Sequence, residues 1–228
     1  MKFIVIEGLD GSGKSTQLKM LRNYLENKKI DYEYLHFPRM DSPIFGDLIA
    51  RFLRGELGDI NTVNPYLIAL IYAGDRNDAK EKINKWLSED KLVIVDRYVY
   101  SNIAFQCAKL HKQEEIVRLS EWIKDLEYNY FKIPQPALNI FLNVPFEFTR
   151  KNLAKQRNGD DRDYLNGKED IHEKDIEFQN KVRNVYLNAV KNDEHLKIIN
   201  CANDEGEMPD ANEIFSKIIE LLKSNTII

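Results

Sequence analysis

The sequence predicts an α/β fold, a parallel sheet with helices on both faces, and two patterns carry that expectation. Short apolar runs recur at residues 2–7, 92–96, 137–142 and 196–200, and segments of helical period separate them. Unbroken apolar runs of that length suit strands covered on both sides, and strand–helix alternation suits parallel pairing. A fifth run, "DYEYLHF" at 31–37, is more polar, as a strand nearer the sheet edge would be. The helical segments cover 14–28, 64–89, 114–130, 145–156, 170–191 and 211–223, with a further apolar helix around 101–110. No Pro/Gly/Ser-rich linker interrupts the 228 residues, so the expected organisation is one domain spanning 1–228.

Bulk properties narrow the function classes. The formal net charge of −4 argues against a nucleic acid polymer as partner, because polyanion binding draws on excess lysine and arginine. The two cysteines, Cys107 and Cys201, are too few for a disulfide framework and suit a reducing, cytoplasmic setting. No run reaches membrane-spanning length, and the first residues lack a secretory pattern, so no membrane role is expected.

In parallel sheets ligands gather beyond the carboxyl ends of the strands, and there the polar residues concentrate. After the first strand, Gly8-Leu9-Asp10-Gly11-Ser12-Gly13-Lys14-Ser15, followed by Thr16, fits the phosphate loop G-x-x-x-x-G-K-[ST] in full. Glycines let successive N–H groups curl round an anion, and the helix that follows aims its positive dipole end at the same point. Lys14 would reach the β- and γ-phosphates of a nucleoside triphosphate, and the Ser15 hydroxyl would ligate Mg²⁺. The loop leaves the class open among GTPases, kinases and motors. No N-K-x-D guanine motif is present, and a motor would need more chain.

A kinase for small molecules needs a second anion pocket. Arg39 in "HFPR", Arg76 in "IYAGDR" and Arg97 in "VIVDRYVYSNIAFQ" all fall where the cleft is expected. Each alone reads equally as a surface charge; together they suit bidentate capture of a terminal phosphate. Tyr72 lies one helical turn before Arg76, placed either to stack on a base or to fill the core. The stretch "QRNGDDRDYLNGKED", about 156–170, is polar with two glycines, and reads as a solvated loop or a mobile lid.

These segments, "EGLDGSGKSTQ", "FPR", G-x-L-I-x-x-F-L-x-G-E-L-G-D, "YAGDR", "DRYVYSNIAFQ" and "EDIHEKDIEFQNKVRNVYLN", resemble the thymidylate kinases in order through most of the chain. The resemblance implies a P-loop NTPase fold with a five-stranded sheet and a lid, a dTMP substrate, ATP as donor with Mg²⁺, and a homodimer. It implies an ATP site at residues 8–16, and a metal held by Ser15 with Asp96. It puts Tyr72 where the family usually has a Phe stacking on thymine. Arg76 would hydrogen-bond thymine, with Ser101 and Asn102 at the pyrimidine edge. Phe37 lines the same pocket, Arg39 and Arg97 hold the monophosphate, and Phe105 crowds the sugar C2′ position. Asp10 resembles the carboxylate that meets the 3′-hydroxyl, and Glu173, with Asp170, the acids on the lid side. Members of the animal type carry an Arg after that Asp, where this chain has Gly11. Members without it use lid arginines, which makes Arg157 and Arg162 the candidates over the transferring phosphate, ahead of Arg150 and Lys155. His36, His111, His172 and His195 are expected at the surface or in the core. The rival readings are a kinase of the same architecture for a nucleoside or another monophosphate, and a nucleotide-binding protein without catalysis.

Overall fold

The computed structural model describes residues 2–60, 62–154, 164–165, 167 and 170–228. Five strands form one parallel sheet: β1 (Phe3–Glu7), β2 (Tyr32–His36), β3 (Leu92–Asp96), β4 (Leu138–Asn143) and β5 (Leu196–Asn200), in the order β2-β3-β1-β4-β5. β1 is central, and the more polar β2 lies at one edge, as its composition indicates.

Alternation along β1 divides the core. Phe3 and Val5 face one layer, packed against α3 (Pro65–Ser88), α4 (Val99–Cys107), α5 (Gln113–Lys124) and α8 (Ile176–Asn192). Ile4 and Ile6 face the other, packed against α1 (Lys14–Lys28) and α9 (Ala211–Ser224). Successive side chains of a strand point to opposite faces, so a fully apolar strand requires a hydrophobic layer on each side.

Three elements depart from the expected boundaries. The segment 170–191 is two helices, α7 (Ile171–Lys174) and α8, because Asp170 and Asp175 each cap a helix start. Asp175 is extended at ψ 99° and its carboxylate accepts from the Phe178 N–H at 2.9 Å. The helix expected over 114–130 keeps its length but ends in a π-helical turn, Asp125–Tyr130, that buries Glu127. α2 (Phe45–Leu53) was not anticipated; it packs so tightly that a Cβ on Gly46 would lie 2.6 Å from the Met40 carbonyl oxygen. α6 covers Phe146–Ala154; residues 155–163, with Lys155, Arg157 and Arg162 and most of the stretch expected as a lid, lie outside the described residues.

Candidate active site

The strand register brings the site together. Ile6 pairs with Asp96, so β1 and β3 end side by side, and the loops leaving them share one cleft of about 1060 Å³. The phosphate loop from Asp10 to Thr16 forms one wall, and Phe37, Arg39 and Asp96 follow from the ends of β2 and β3. The far wall carries Tyr72 and Arg76 from α3 and Ser101, Asn102 and Phe105 from α4, with Glu173 from α7. Gly8 and Leu9 lie behind this surface, at the root of the loop. Arg150 is exposed and paired with Glu147, three residues earlier on α6.

Gly11 and Gly13 adopt left-handed φ of 69° and 81°, which bends the loop into α1. Gly11 also lies under α6: a Cβ there would meet that of Asn152 at 3.2 Å, while the Asn152 amide donates to the Gly11 carbonyl at 2.8 Å. An arginine at this position, as in the animal-type pattern, would have to displace that helix. The Lys14 ammonium donates to the carbonyls of Leu9 and Gly8, at 3.0 and 3.3 Å. Burial and the neighbouring Arg97 bring its pKa down to about 8.

Arg97 lies in the cleft and links the end of β3 to the phosphate loop. It is held at φ 65°, a left-handed conformation that costs a non-glycine residue about 1–2 kcal/mol. Its guanidinium donates to Asp10 at 2.7 Å and to the Ser101 hydroxyl at 3.3 Å, and lies over the Phe105 ring. Burial alone would raise the Asp10 pKa, but Arg97, Lys14 and a hydrogen bond from Gln179 bring it to about 2. Arg39 is braced by Asp75 and Asp78, with contacts of 2.8 and 2.6 Å. Asp75 precedes Arg76, so one turn of α3 serves both arginines.

Arg76 is deeply buried, with a bidentate ion pair to Glu127 on the π-helical turn. Asn102 joins them, its amide donating to Glu127 and to the Ala69 carbonyl, each at 3.0 Å, which leaves its Oδ1 buried and without a partner. The Tyr72 ring is half-buried in the wall, against the cluster of Ile49, Phe52, Leu53 and Ile68. The Ser101 hydroxyl, expected at the pyrimidine edge, is also bonded to Glu7 and lies 2.8 Å from the Tyr186 hydroxyl.

The structure adds residues that the sequence reading passed over. Gln179 on α8 donates to Asp10 at 2.9 Å. Its signal was a polar residue beside the apolar stripe of Phe178, Val182 and Tyr186. His172, expected as an ordinary surface or core residue, is buried in the cleft wall against Phe105 and Phe178, with Nε2 unpartnered. Burial and then Lys109 lower its pKa to about 3. Asp170, also buried in the wall, moves the other way, to about 7, through burial, Asp10 and Glu173. Asp96 lies 3.1 Å from His36 through Oδ2, and its Oδ1 is buried without a partner. Among the described residues no three His, Cys, Asp or Glu side chains gather to hold a metal on their own.

A phosphate loop and a second cation cluster facing the same cleft define a class: a P-loop phosphotransferase that hands a phosphoryl group to a small phosphorylated acceptor. A family model described as thymidylate kinase matches residues 6–211. The chain is 32% identical to the thymidylate kinase of Plasmodium falciparum, over 86% of this chain and 81% of the relative. It is 31% identical to a probable thymidylate kinase of Pyrococcus horikoshii, over 97% and 95%. It is likewise 31% identical to the thymidylate kinase of Mycobacterium tuberculosis, over 80% and 83%. The solved thymidylate kinase of Candida albicans shares the fold, with a TM-score of 0.71, 23% identity, and coverage of 99% and 92%. The chain belongs to the thymidylate kinase family.

Proposed function

We propose that this chain phosphorylates dTMP to dTDP with ATP, in one kinase domain whose lid spans about 156–170. The observation that carries the reading is the Arg97–Asp10 pair, which joins the acceptor cations to the phosphate loop across 2.7 Å. Phosphoryl transfer asks little covalent chemistry of a protein, so catalysis is positioning and charge neutralisation. The triphosphate lies along residues 8–16, with Lys14 at its β- and γ-phosphates. Arg39 and Arg97 hold the acceptor monophosphate so that one oxygen lies in line with the γ-phosphorus. A phosphate monoester is already ionised at neutral pH, and no strong general base is needed. Tyr72 stacks on the base, with Arg76, Asn102 and Ser101 behind it; Phe105 closes the sugar side, Asp10 meets the 3′-hydroxyl, and Glu173 is the lid-side acid near the acceptor. Arg157 and Arg162 close over the transferring group and exclude water.

The residues present fit Mg²⁺: Asp96 Oδ1 is a buried orphan, and Asp96 and the exposed Ser15 line the same cleft. Mg²⁺ is commonly held by one or two protein ligands plus substrate phosphates, so a dedicated cage is not required. Ser15 and Asp96 would hold it, and it would supply charge neutralisation on the β- and γ-phosphates. We further propose a cytoplasmic homodimer. The α4 helix is consumed by the monomer core, whereas α3 exposes Leu67 and Leu70, which supports pairing through α3. No helix of the described residues is long and apolar enough to cross a membrane.

The test is ADP release with ATP·Mg²⁺ and a panel of dTMP, dUMP, UMP, AMP, GMP and thymidine. dTMP is expected to turn over well above the rest. Turnover with thymidine or a purine monophosphate instead would keep the phosphate loop and remove the roles given to Tyr72, Arg76 and Asn102.

A further inference from the structure

Glu7 is the last residue of β1, fully buried, and absent from the cleft surface. Its carboxylate receives the main-chain N–H of Tyr98 at 2.9 Å and of Ser101 at 3.3 Å, the Ser101 hydroxyl, and the Tyr186 hydroxyl at 2.9 Å. Tyr98 N-caps α4 yet lends it no side-chain cap, so Glu7 supplies that cap from 91 residues away. Arg97 stands immediately before this cap. Its left-handed backbone is tied to the same strand, the N–H donating to the Ile6 carbonyl at 3.0 Å. Its guanidinium reaches Ser101, whose proton goes to Glu7 and whose lone pair is thereby left facing the arginine. Arg97, Ser101, Glu7 and Tyr186 form one continuous chain of hydrogen bonds from the cleft to the middle of α8.

We propose that Glu7, acting through Ser101 and Tyr186, is a positioning residue that sets where the Arg97 guanidinium meets the acceptor's phosphate. The inference rests on the reading of Arg97 as a ligand of that phosphate. Electrostatics makes it separable from a simple charge effect. A buried anion next to an anion site repels the ligand, so removing its charge alone would tighten phosphate binding. A loss of phosphate affinity on neutralisation therefore reports displacement of the arginine. The replacement Glu7→Gln keeps an oxygen for the two main-chain donors and presents its amide nitrogen to the two hydroxyls, so the cap survives while Ser101 is reoriented.

The experiment is calorimetric binding of dTMP and of thymidine, whose affinity ratio isolates the phosphate. Glu7→Gln is expected to lower that ratio about 10-fold, and Tyr186→Phe, which keeps the buried charge, about 3-fold; any change in how Ser101 meets the pyrimidine affects both ligands and cancels in the ratio. An unchanged or increased ratio in Glu7→Gln, or an equal loss for both ligands, overturns the proposal. If Glu7→Gln does not fold, Tyr186→Phe decides by the same criterion. Arg97→Ala separates the two levels: if it leaves the ratio intact, the phosphate role of Arg97 falls and the proposal with it; if it collapses the ratio while Glu7→Gln does not, only the proposal falls.

Discussion

Lys14 stands where burial and neighbouring charge oppose each other. Desolvation and Arg97 favour its neutral form, while Asp96, Asp10 and Glu7 favour the ammonium, and the balance lies at about 8. A lysine so placed gains most from a ligand that brings negative charge, since the phosphates replace the weak carbonyl contacts to Gly8 and Leu9. Lys14→Ala is expected to lower kcat by at least about 100-fold, removing a charge-stabilising donor worth about 3 kcal/mol or more in the transition state. The affinity for dTMP should change far less, because on the proposed reading the acceptor is held from the opposite wall. Steady-state kinetics with both substrates varied check this, and retained turnover would remove the phosphate-loop assignment. The same scale shows what a sequence conveys about a site. The loop 8–15 was legible because its chemistry is contiguous. Glu7, Glu127 and Gln179 were not, since each acts on a partner 51 to 169 residues away and no local spacing announces it.

At the scale of elements, α2 and α3 show how close approach is built. Gly74 lies on the inner side of α3, and a Cβ there would lie 2.2 Å from the Phe45 ring at the start of α2. The next residue, Gly46, lies against the turn that carries Arg39, where a Cβ would come within 2.7 Å of the Arg39 carbonyl oxygen. Gly74→Ala is expected to destabilise the protein by about 2 kcal/mol through overpacking, although alanine is the better helix former. Adding Phe45→Leu should restore at least half of that loss. Urea unfolding of the single and double variants measures the coupling, and additive effects would show that the two residues do not meet. The strands were legible almost to the residue because both faces of a parallel sheet must be apolar. α2 escaped notice because its nine residues fall between a proline-rich turn and the glycines of 55 and 58. The break at Asp175 and the π-helical turn were hidden for a different reason. Both preserve helical composition and alter only the winding, which is decided by the partners that Asp175 and Glu127 find.

For the whole molecule, two buried residues of one short helix region set opposing responses to pH. The His172 pKa falls from 6.5 to about 3 on folding, so the stability tied to its neutral form is present above 6.5 and lost as pH drops toward 3. The Asp170 pKa rises from 3.8 to about 7, so the stability tied to its protonated form is present below 3.8 and lost as pH climbs through 7. Between about 4 and 6.5 the two slopes cancel. His172→Phe removes one of them, and relative to the parent its stability is expected to improve by about 1.4 kcal/mol for each pH unit below 6.5. Urea unfolding at pH 6.5 and 5 measures it, and parallel curves would show that His172 is not held neutral. The end of β1 carries a different consequence. Gly8, which opens the phosphate loop, follows Glu7, which caps α4, so a single peptide bond separates the anchors of the two phosphate sites proposed above. On the proposed reading the strand end works as a ruler: the spacing between giving and receiving phosphates is set there, while the base stacks on Tyr72 of α3, where a residue can be exchanged without moving the gauge. A protein built this way is free to change which nucleotide it accepts more readily than the distance over which it transfers.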